Sequence, residues 1–310
     1  MTELVFHHYP GSPFSEKIRL IFGLKQLHWR SVVVPVIMPK PDLTALTGGY
    51  RRTPVLQIGA DIYCDTLLIA DVLERCQPSP SLYPPAQAGL ARTLGQWADA
   101  TLFWTAIAYA FQPAGMQSMF AHLPPEAVQA FTADRTLLRG GAPRMAVAEA
   151  TAQLTLYLNR AESMLSAGNG FLLGEQPCIA DFSVYHALWY VRRATAVAGI
   201  LDAAPRVLRW LDRVAAIGHH ACEKMTGDAA LAIAAASDGA DRASGEAFVD
   251  YHGAGLGDRV VITPSDYGRD PVEGTLVVST ADRFALERTD ARAGRVTVHF
   301  PRIGYQMKKV

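Results

Sequence analysis

The sequence predicts three successive units: an α/β unit, an all-helical unit and a small β-rich unit. Three observations predict this order. Residues 4–76 alternate short, valine-rich apolar runs with amphipathic stretches of helical period. Between residues 88 and 236 the strand signal nearly vanishes, leaving helical patterns broken by proline and glycine, as in a helix bundle. Residues 237–246 (SDGADRASGE) are small and polar, and β-like runs return after them. A chain of 310 residues is too long for one compact core, so more than one domain is expected.

In chain order, residues 4–9 read as a strand that stops at Pro10-Gly11. Residues 15–24 read as a helix with Ile18, Ile21 and Phe22 on one face. A second strand at residues 28–34 leads into a proline- and glycine-rich connector. Residues 55–58 and 61–64 flank Gly59-Ala60 as a hairpin. Asp65-Thr66 then cap a helix reaching about Cys76, because a short side-chain oxygen satisfies free N–H groups of the first turn. The order is β-α-β, connector, β-β-α. Four prolines in QPSPSLYPP, residues 77–85, end this unit. The units are therefore placed at residues 1–80, 86–236 and 245–310. Helices are expected at 90–111, 146–167, 179–198 and 205–217, and short strands at 259–263, 275–279, 284–288 and 296–300, forming a small barrel or sheet.

Lys plus Arg and Asp plus Glu are balanced at 29 each, so no net field favours nucleic acid or a membrane surface. Half the residues are hydrophobic and 19% charged, which excludes global disorder. Cys64, Cys76, Cys178 and Cys222 show no CxxC or zinc-like spacing and suit a reducing compartment. The N-terminal MTELVFHHYP lacks the pattern of a signal peptide, and the apolar tract at 229–236 is too short to span a bilayer. A soluble cytoplasmic protein is expected. His219-His220 with Cys222 suggest a metal, but adjacent residues on a helix point about 100° apart, so no metal site is expected.

Two segments carry chemistry. In Tyr9-Pro10-Gly11-Ser12-Pro13-Phe14-Ser15 a strand ends and a helix begins, placing hydroxyls beside free N–H groups where an anion is stabilised. Taken alone, this segment reads first as a simple helix cap at Ser12 or Ser15. In Arg51-Arg52-Thr53-Pro54-Val55-Leu56 a proline sits just before a strand, ten residues ahead of Asp65-Thr66.

This series resembles the glutathione site of the glutathione transferases, in order and spacing, across residues 4–76. The resemblance implies a thioredoxin-like first unit and a transferase-type helical second unit. It further implies a cis Thr53-Pro54 bond, with the Thr53 backbone pairing the cysteinyl part of glutathione. Asp65 and Thr66 would hold its γ-glutamyl end, and Arg52 could pair with a carboxylate. Ser12 falls where serine-type classes stabilise the thiolate, with Ser15 and Tyr9 as competitors. No cysteine stands there, which disfavours mixed-disulfide chemistry. Residues 171–182 (FLLGEQPCIADF) resemble the family's helix-start signature, with Cys178 in place of the capping hydroxyl and Asp181 in a structural role. Phe103, Trp104, Tyr109 and Trp189, with Phe111, Tyr185 and Tyr190, could form an acceptor pocket or fill the helical core.

The implied activity is conjugation of glutathione, the co-substrate, to a small electrophile. The alternatives are a glutathione-dependent lyase, reductase or isomerase, and a non-catalytic binding regulator whose β-rich unit recognises a partner. A homodimer is implied. The third unit departs from the family, which usually ends with the helices.

Overall fold

β1 (Val5–His8) is the first unit's central strand, buried along its length, parallel to β2 (Trp29–Val33) and antiparallel to β3 (Val55–Ile58). The computed structural model describes residues 3–168, 170–239, 241 and 246–310. β4 (Asp61–Cys64) closes a hairpin on β3, and Gly59 turns it at φ 58°, a value that favours glycine. α1 (Pro13–Lys25) and α3 (Thr66–Cys76) pack together over one face of this sheet. α2 (Pro41–Thr47) lies in the connector and buries Leu43 and Leu46 in a second cluster. Thr53–Pro54 is cis, as the resemblance implies.

The helical unit begins with α4 (Ala88–Trp97) and α5 (Phe103–Ala110), joined without a break by a π-turn at Ala98–Leu102. α6 (Pro113–Phe120), α7 (Pro125–Arg139), α8 (Val147–Met164), α9 (Ile179–Arg193) and α10 (Pro205–Ala215) follow. Proline at the first turn of α6, α7 and α10 supplies a helical φ where no N–H partner is needed. α6 and α7 were absent from the helices expected, because the segment has weak apolar periodicity: α7 buries no residue fully. α9 is the hub, buried over most of its length and packed on α1, α4 and α5. Its start is fixed by Asp181, which accepts from the Cys178 and Leu172 N–H groups at 3.0 and 2.8 Å and from Trp210 Nε1 at 2.9 Å. Cys178 Sγ also lies 3.4 Å from Asp181 Oδ2, and the capping box is complete, with the Cys178 side chain accepting from the Asp181 N–H and the Asp181 carboxylate accepting from the Cys178 N–H.

His219 and His220 precede β5 (Cys222–Lys224) in a loop rather than lying on a helix, and β5 extends the sheet beside β2. α11 (Gly227–Ala235) then crosses back to pack on α2. The expected linker at 237–246 falls largely on residues 240 and 242–245, which lie outside the described residues, as does the expected start of the third unit at 245.

β6 (Arg259–Pro264), β7 (Val272–Ser279), β8 (Arg283–Asp290), β9 (Gly294–Pro301) and β10 (Tyr305–Lys309) form an antiparallel sheet in the order β10-β6-β7-β8-β9. Of the barrel and the sheet that the sequence allows, the sheet is realised. It is not free-standing: β9 pairs parallel with β4, Ile62 opposite Val298, so the ten described strands make one sheet. His299 Nε2 lies 2.9 Å from Asp61 Oδ1, and its ring stacks on Tyr63 at 4.6 Å. Buried Arg283 grips Asp241 through both guanidinium ends at 2.6 and 2.7 Å. Burial alone would push the Asp241 carboxyl up; Arg283, His299 and the Tyr63 hydroxyl outweigh it and hold it well below the usual range. Among the described residues no helix is long and apolar enough to cross a membrane.

β1 carries a pH liability. Burial, opposed by the hydrogen bond to Gln57, lowers the His7 pKa to about 4, and burial with nearby Arg19 lowers that of His8 to about 3. Both folded values lie below the unfolded one, so the unfolded chain takes up these protons first. Their contribution is intact above about pH 6.5 and is lost as pH falls toward the folded values. Between pH 7 and 5 each histidine should cost about 2 kcal/mol of stability. Urea unfolding of His7→Gln should show a shallower loss over this interval than the parent; an identical slope would refute the buried neutral imidazole.

Candidate functional site

A cavity of about 550 Å³ opens between the first and helical units. Its floor on the first unit is the β1–α1 turn. Ser12 caps α1: its Oγ accepts from Ser15 N–H at 3.1 Å, and its own N–H donates to Tyr9 C=O at 3.1 Å. Ser12 is 2% exposed and is among the residues that line the cavity, so the residue that caps the helix also borders the cavity. Its proton stays available for donation while the oxygen accepts. Ser15 is fully buried and does not line the cavity, and among the described residues its hydroxyl has no hydrogen-bond partner. Tyr9 lines the cavity.

Thr53, two residues ahead of β3, lines the opposite side with Arg51, Arg52 and Lys40. Lys40 is 4% exposed and donates to Thr53 Oγ1 at 2.8 Å and Arg51 C=O at 3.2 Å. Burial, with Arg135 and Arg51 nearby and only partly offset by Asp134, lowers its pKa to about 8. The sequence reading missed Lys40; the available signal was a lysine held between two prolines, Pro39 and Pro41, at a helix start.

Arg52 is held by the third unit. It pairs with Asp266 and the Tyr267 carbonyl in the β6–β7 loop, and its guanidinium stacks 3.8 Å from the Tyr267 ring centre. Tyr267 meets Trp104 edge-on at 5.1 Å, and Gly268 N–H donates to Leu138 C=O of α7 at 2.7 Å. A Cβ on Gly268 would lie 2.8 Å from Leu138, on a backbone with φ +55°, so glycine lets the loop seat on α7. The loop thus forms a wall of the cavity through Asp266 and Tyr267.

Asp65 and Thr66 do not line the cavity. Asp65 caps α3, accepting from Leu67 N–H at 2.9 Å, and also accepts from Tyr305 O–H of β10 at 3.1 Å. Tyr50 O–H completes the chain, 2.8 Å from the Tyr305 oxygen. Burial pushes the Asp65 carboxyl up, against the Leu67 N–H and Arg52. Thr66 Oγ1 accepts from buried Lys17 at 3.4 Å, and Lys17 bonds Asp99 at 2.6 Å. Of the acceptor candidates, Phe103, Trp104, Phe111 and Tyr190 line the cavity. Tyr109, Trp189 and Tyr185 do not. The Tyr109 hydroxyl donates to Val197 C=O at 2.8 Å, Trp189 lies under Arg193, and Tyr185 packs on Trp210.

Residues 6–81 match the family model described as glutathione S-transferase, N-terminal domain, and residues 144–213 match glutathione S-transferase, C-terminal domain. A GST-like protein from Pseudomonas syringae, known as a crystal structure, is 43% identical with a TM-score of 0.83, over 100% of both chains. That match includes the third unit. FtsZ-localized protein A of Caulobacter vibrioides is 26% identical over 188 residues, 59% of this chain and 74% of the relative. A glutathione S-transferase from Rhodospirillum rubrum shares the fold, with a TM-score of 0.51 and 18% identity over 68% of this chain and 87% of its own.

The Tyr305 hydroxyl ties the third unit to the buried Asp65 carboxyl. Tyr305→Phe should cost about 1–3 kcal/mol in urea unfolding, the penalty for stripping a donor from a buried acceptor. A neutral effect would show that the bond does not form.

Proposed function

Because the chain belongs to the glutathione S-transferase family, we propose that it binds glutathione in this cavity and presents the thiolate to a small electrophile. The observation that carries the reading is Ser12, which caps the N-terminus of α1 with its hydroxyl and lines the cavity. A thiolate set there meets the O–H donor and the positive end of the helix, which together lower a thiol pKa from about 8.5. Thr53 supplies backbone for the cysteinyl part, and Lys40 and Arg52 supply charge for carboxylates. Asp65 and Thr66 remain the assignment for the γ-glutamyl end, which then requires Tyr305 and the Arg52–Tyr267 stack to yield. Phe103, Trp104, Phe111 and Tyr190 present apolar surface to the electrophile. Orientation and thiolate stabilisation are the protein's contributions; the sulfur is the nucleophile. The working form is a cytoplasmic homodimer. A lyase, reductase or isomerase would use the same thiol site.

The second reading is a binding regulator without turnover. Phe248, Tyr251, Leu256 and Ile303 are exposed large hydrophobic side chains of the third unit, at 47, 74, 59 and 55%. The Caulobacter relative is named for localisation with FtsZ, which suits a protein-binding role. Glutathione binding with no turnover of any electrophile class would favour this reading.

Ser12→Ala should lower turnover at least tenfold and leave glutathione affinity within about twofold, because the hydroxyl bonds the charged sulfur more strongly than the thiol. Loss of the cap costs about 1 kcal/mol, so the fold should survive. Thiolate absorbance against pH should show a raised thiol pKa in the variant. A raised pKa in Ser15→Ala instead, or in neither, would overturn the assignment.

A further inference from the structure

The cavity wall concentrates positive charge. Among the described residues Lys40, Arg51, Arg52, Arg135, Arg139 and Arg144 line it against one lining carboxylate, Asp266. Three of the cations are well accounted for. Arg51 bonds Asp134 at 2.8 Å, Arg52 pairs with Asp266, and Lys40 bonds Thr53 and the Arg51 carbonyl. The α7 side is different. Arg135 bonds the Val36 carbonyl at 2.5 Å, its Nε stands 3.7 Å from the Asp134 carboxylate, and its guanidinium lies 4.9 Å from the Phe131 ring centre. Among the described residues the Arg139 Nε is buried with no hydrogen-bond partner. Among the described residues neither Arg139 nor Arg144 has a carboxylate within ion-pair distance. Several guanidinium groups around one cavity repel one another. An anion in the cavity relieves that repulsion, since carboxylate or sulfonate oxygens accept from the guanidinium fork.

The same wall is aromatic. Phe131 stands on α7, Phe111 packs against it at 6.1 Å, and Trp104 and Tyr190 complete the apolar surface. Lys40, Arg51 and Arg52 belong to the first unit, beside Ser12 and Thr53. Arg135, Arg139 and Arg144 belong to the helical unit, beside the aromatic rings. We infer that Arg135 and Arg139, with Arg144 at the rim, form an anion subsite for the acceptor, so that the electrophile is an aromatic compound bearing a carboxylate or sulfonate. The inference rests on the transferase reading for the word electrophile, but the subsite binds its anion whether or not conjugation follows. The competing source of the same chemistry is glutathione, which has carboxylates of its own. Its thiol is placed at Ser12, which leaves those carboxylates to the first-unit cations.

The test uses 2-naphthoate and its neutral isostere 2-naphthamide, titrated against the full chain by calorimetry without glutathione. The carboxylate should bind at least tenfold more tightly than the amide. Arg139→Gln should remove that preference, Arg139→Lys should keep most of it, and glutathione affinity should be the same in all three proteins. Thermal unfolding of each variant establishes that it is folded. Equal binding of the two probes, binding of neither, or an Arg139→Gln that weakens glutathione rather than naphthoate would overturn the subsite. Tight naphthoate binding by a protein that shows no thiol activation at Ser12 would sustain the subsite and refute the transferase reading.

Discussion

The pairing of β4 with β9 is the contact on which the architecture of the site depends. It is short, from Asp61↔Thr297 to Tyr63↔His299, and includes the Thr297 N–H bond to the Ala60 carbonyl at 2.9 Å. Its consequence is large, because it makes the third unit's sheet a continuation of the first. The apolar cluster across this junction is correspondingly mixed, joining Leu43 and Leu46 of α2 and Val55 and Ile62 of the hairpin to Val260, Val272, Leu286, Val298 and Phe300. With β9 fixed beside β4, the β6–β7 loop lands over Arg52 and β10 brings Tyr305 to Asp65. A unit remote in sequence thereby supplies a wall of the cavity.

A second constraint holds the first unit against the helices. Lys17 of α1 is fully buried and meets Asp99, in the π-turn between α4 and α5, while His186 of α9 approaches the other carboxylate oxygen at 2.9 Å. Burial pushes the Asp99 carboxyl up, but Lys17 and His186 more than reverse it. Such a network adds little net stability against apolar replacements of equal volume; its geometry fixes how α1 docks. Since α1 starts at Ser12, that docking sets where the hydroxyl sits relative to Phe103 and Trp104. Phe14 between Phe103 and His186, at 4.6 Å from each ring, locks the same register by packing.

Much of this was readable in the residues. The alternation of β and α in the first unit, the Thr53-Pro54 turn, the cap at Asp65 and the helix start at Ile179 follow from local patterns, because period, proline and capping chemistry act over a few residues. Ser12 was legible for the same reason, as a hydroxyl on a strand-to-helix turn. What escaped was long-range. Nothing local in Asp61-Ile62-Tyr63 says that its free edge accepts Thr297-Val298-His299, so the third unit read as a separate body. The roles of Asp266, Tyr267 and Tyr305 depend on that pairing and were invisible with it. Tyr109 and Trp189 look like Phe103 and Trp104 by composition. Which face of its helix each occupies is decided by packing, and the Tyr109 hydroxyl finds a carbonyl partner away from the cavity.

The third unit is an integral part of the sheet and hence of the candidate site. Native-state hydrogen exchange tests it most directly, because each amide reports the free energy of the opening that exposes it. Amides of β9, Thr297 among them, should exchange with the same high free energy as those of β1, β3 and β4. Exchange of β6–β10 through a separate, lower-energy opening, with β1–β4 still protected, would contradict it.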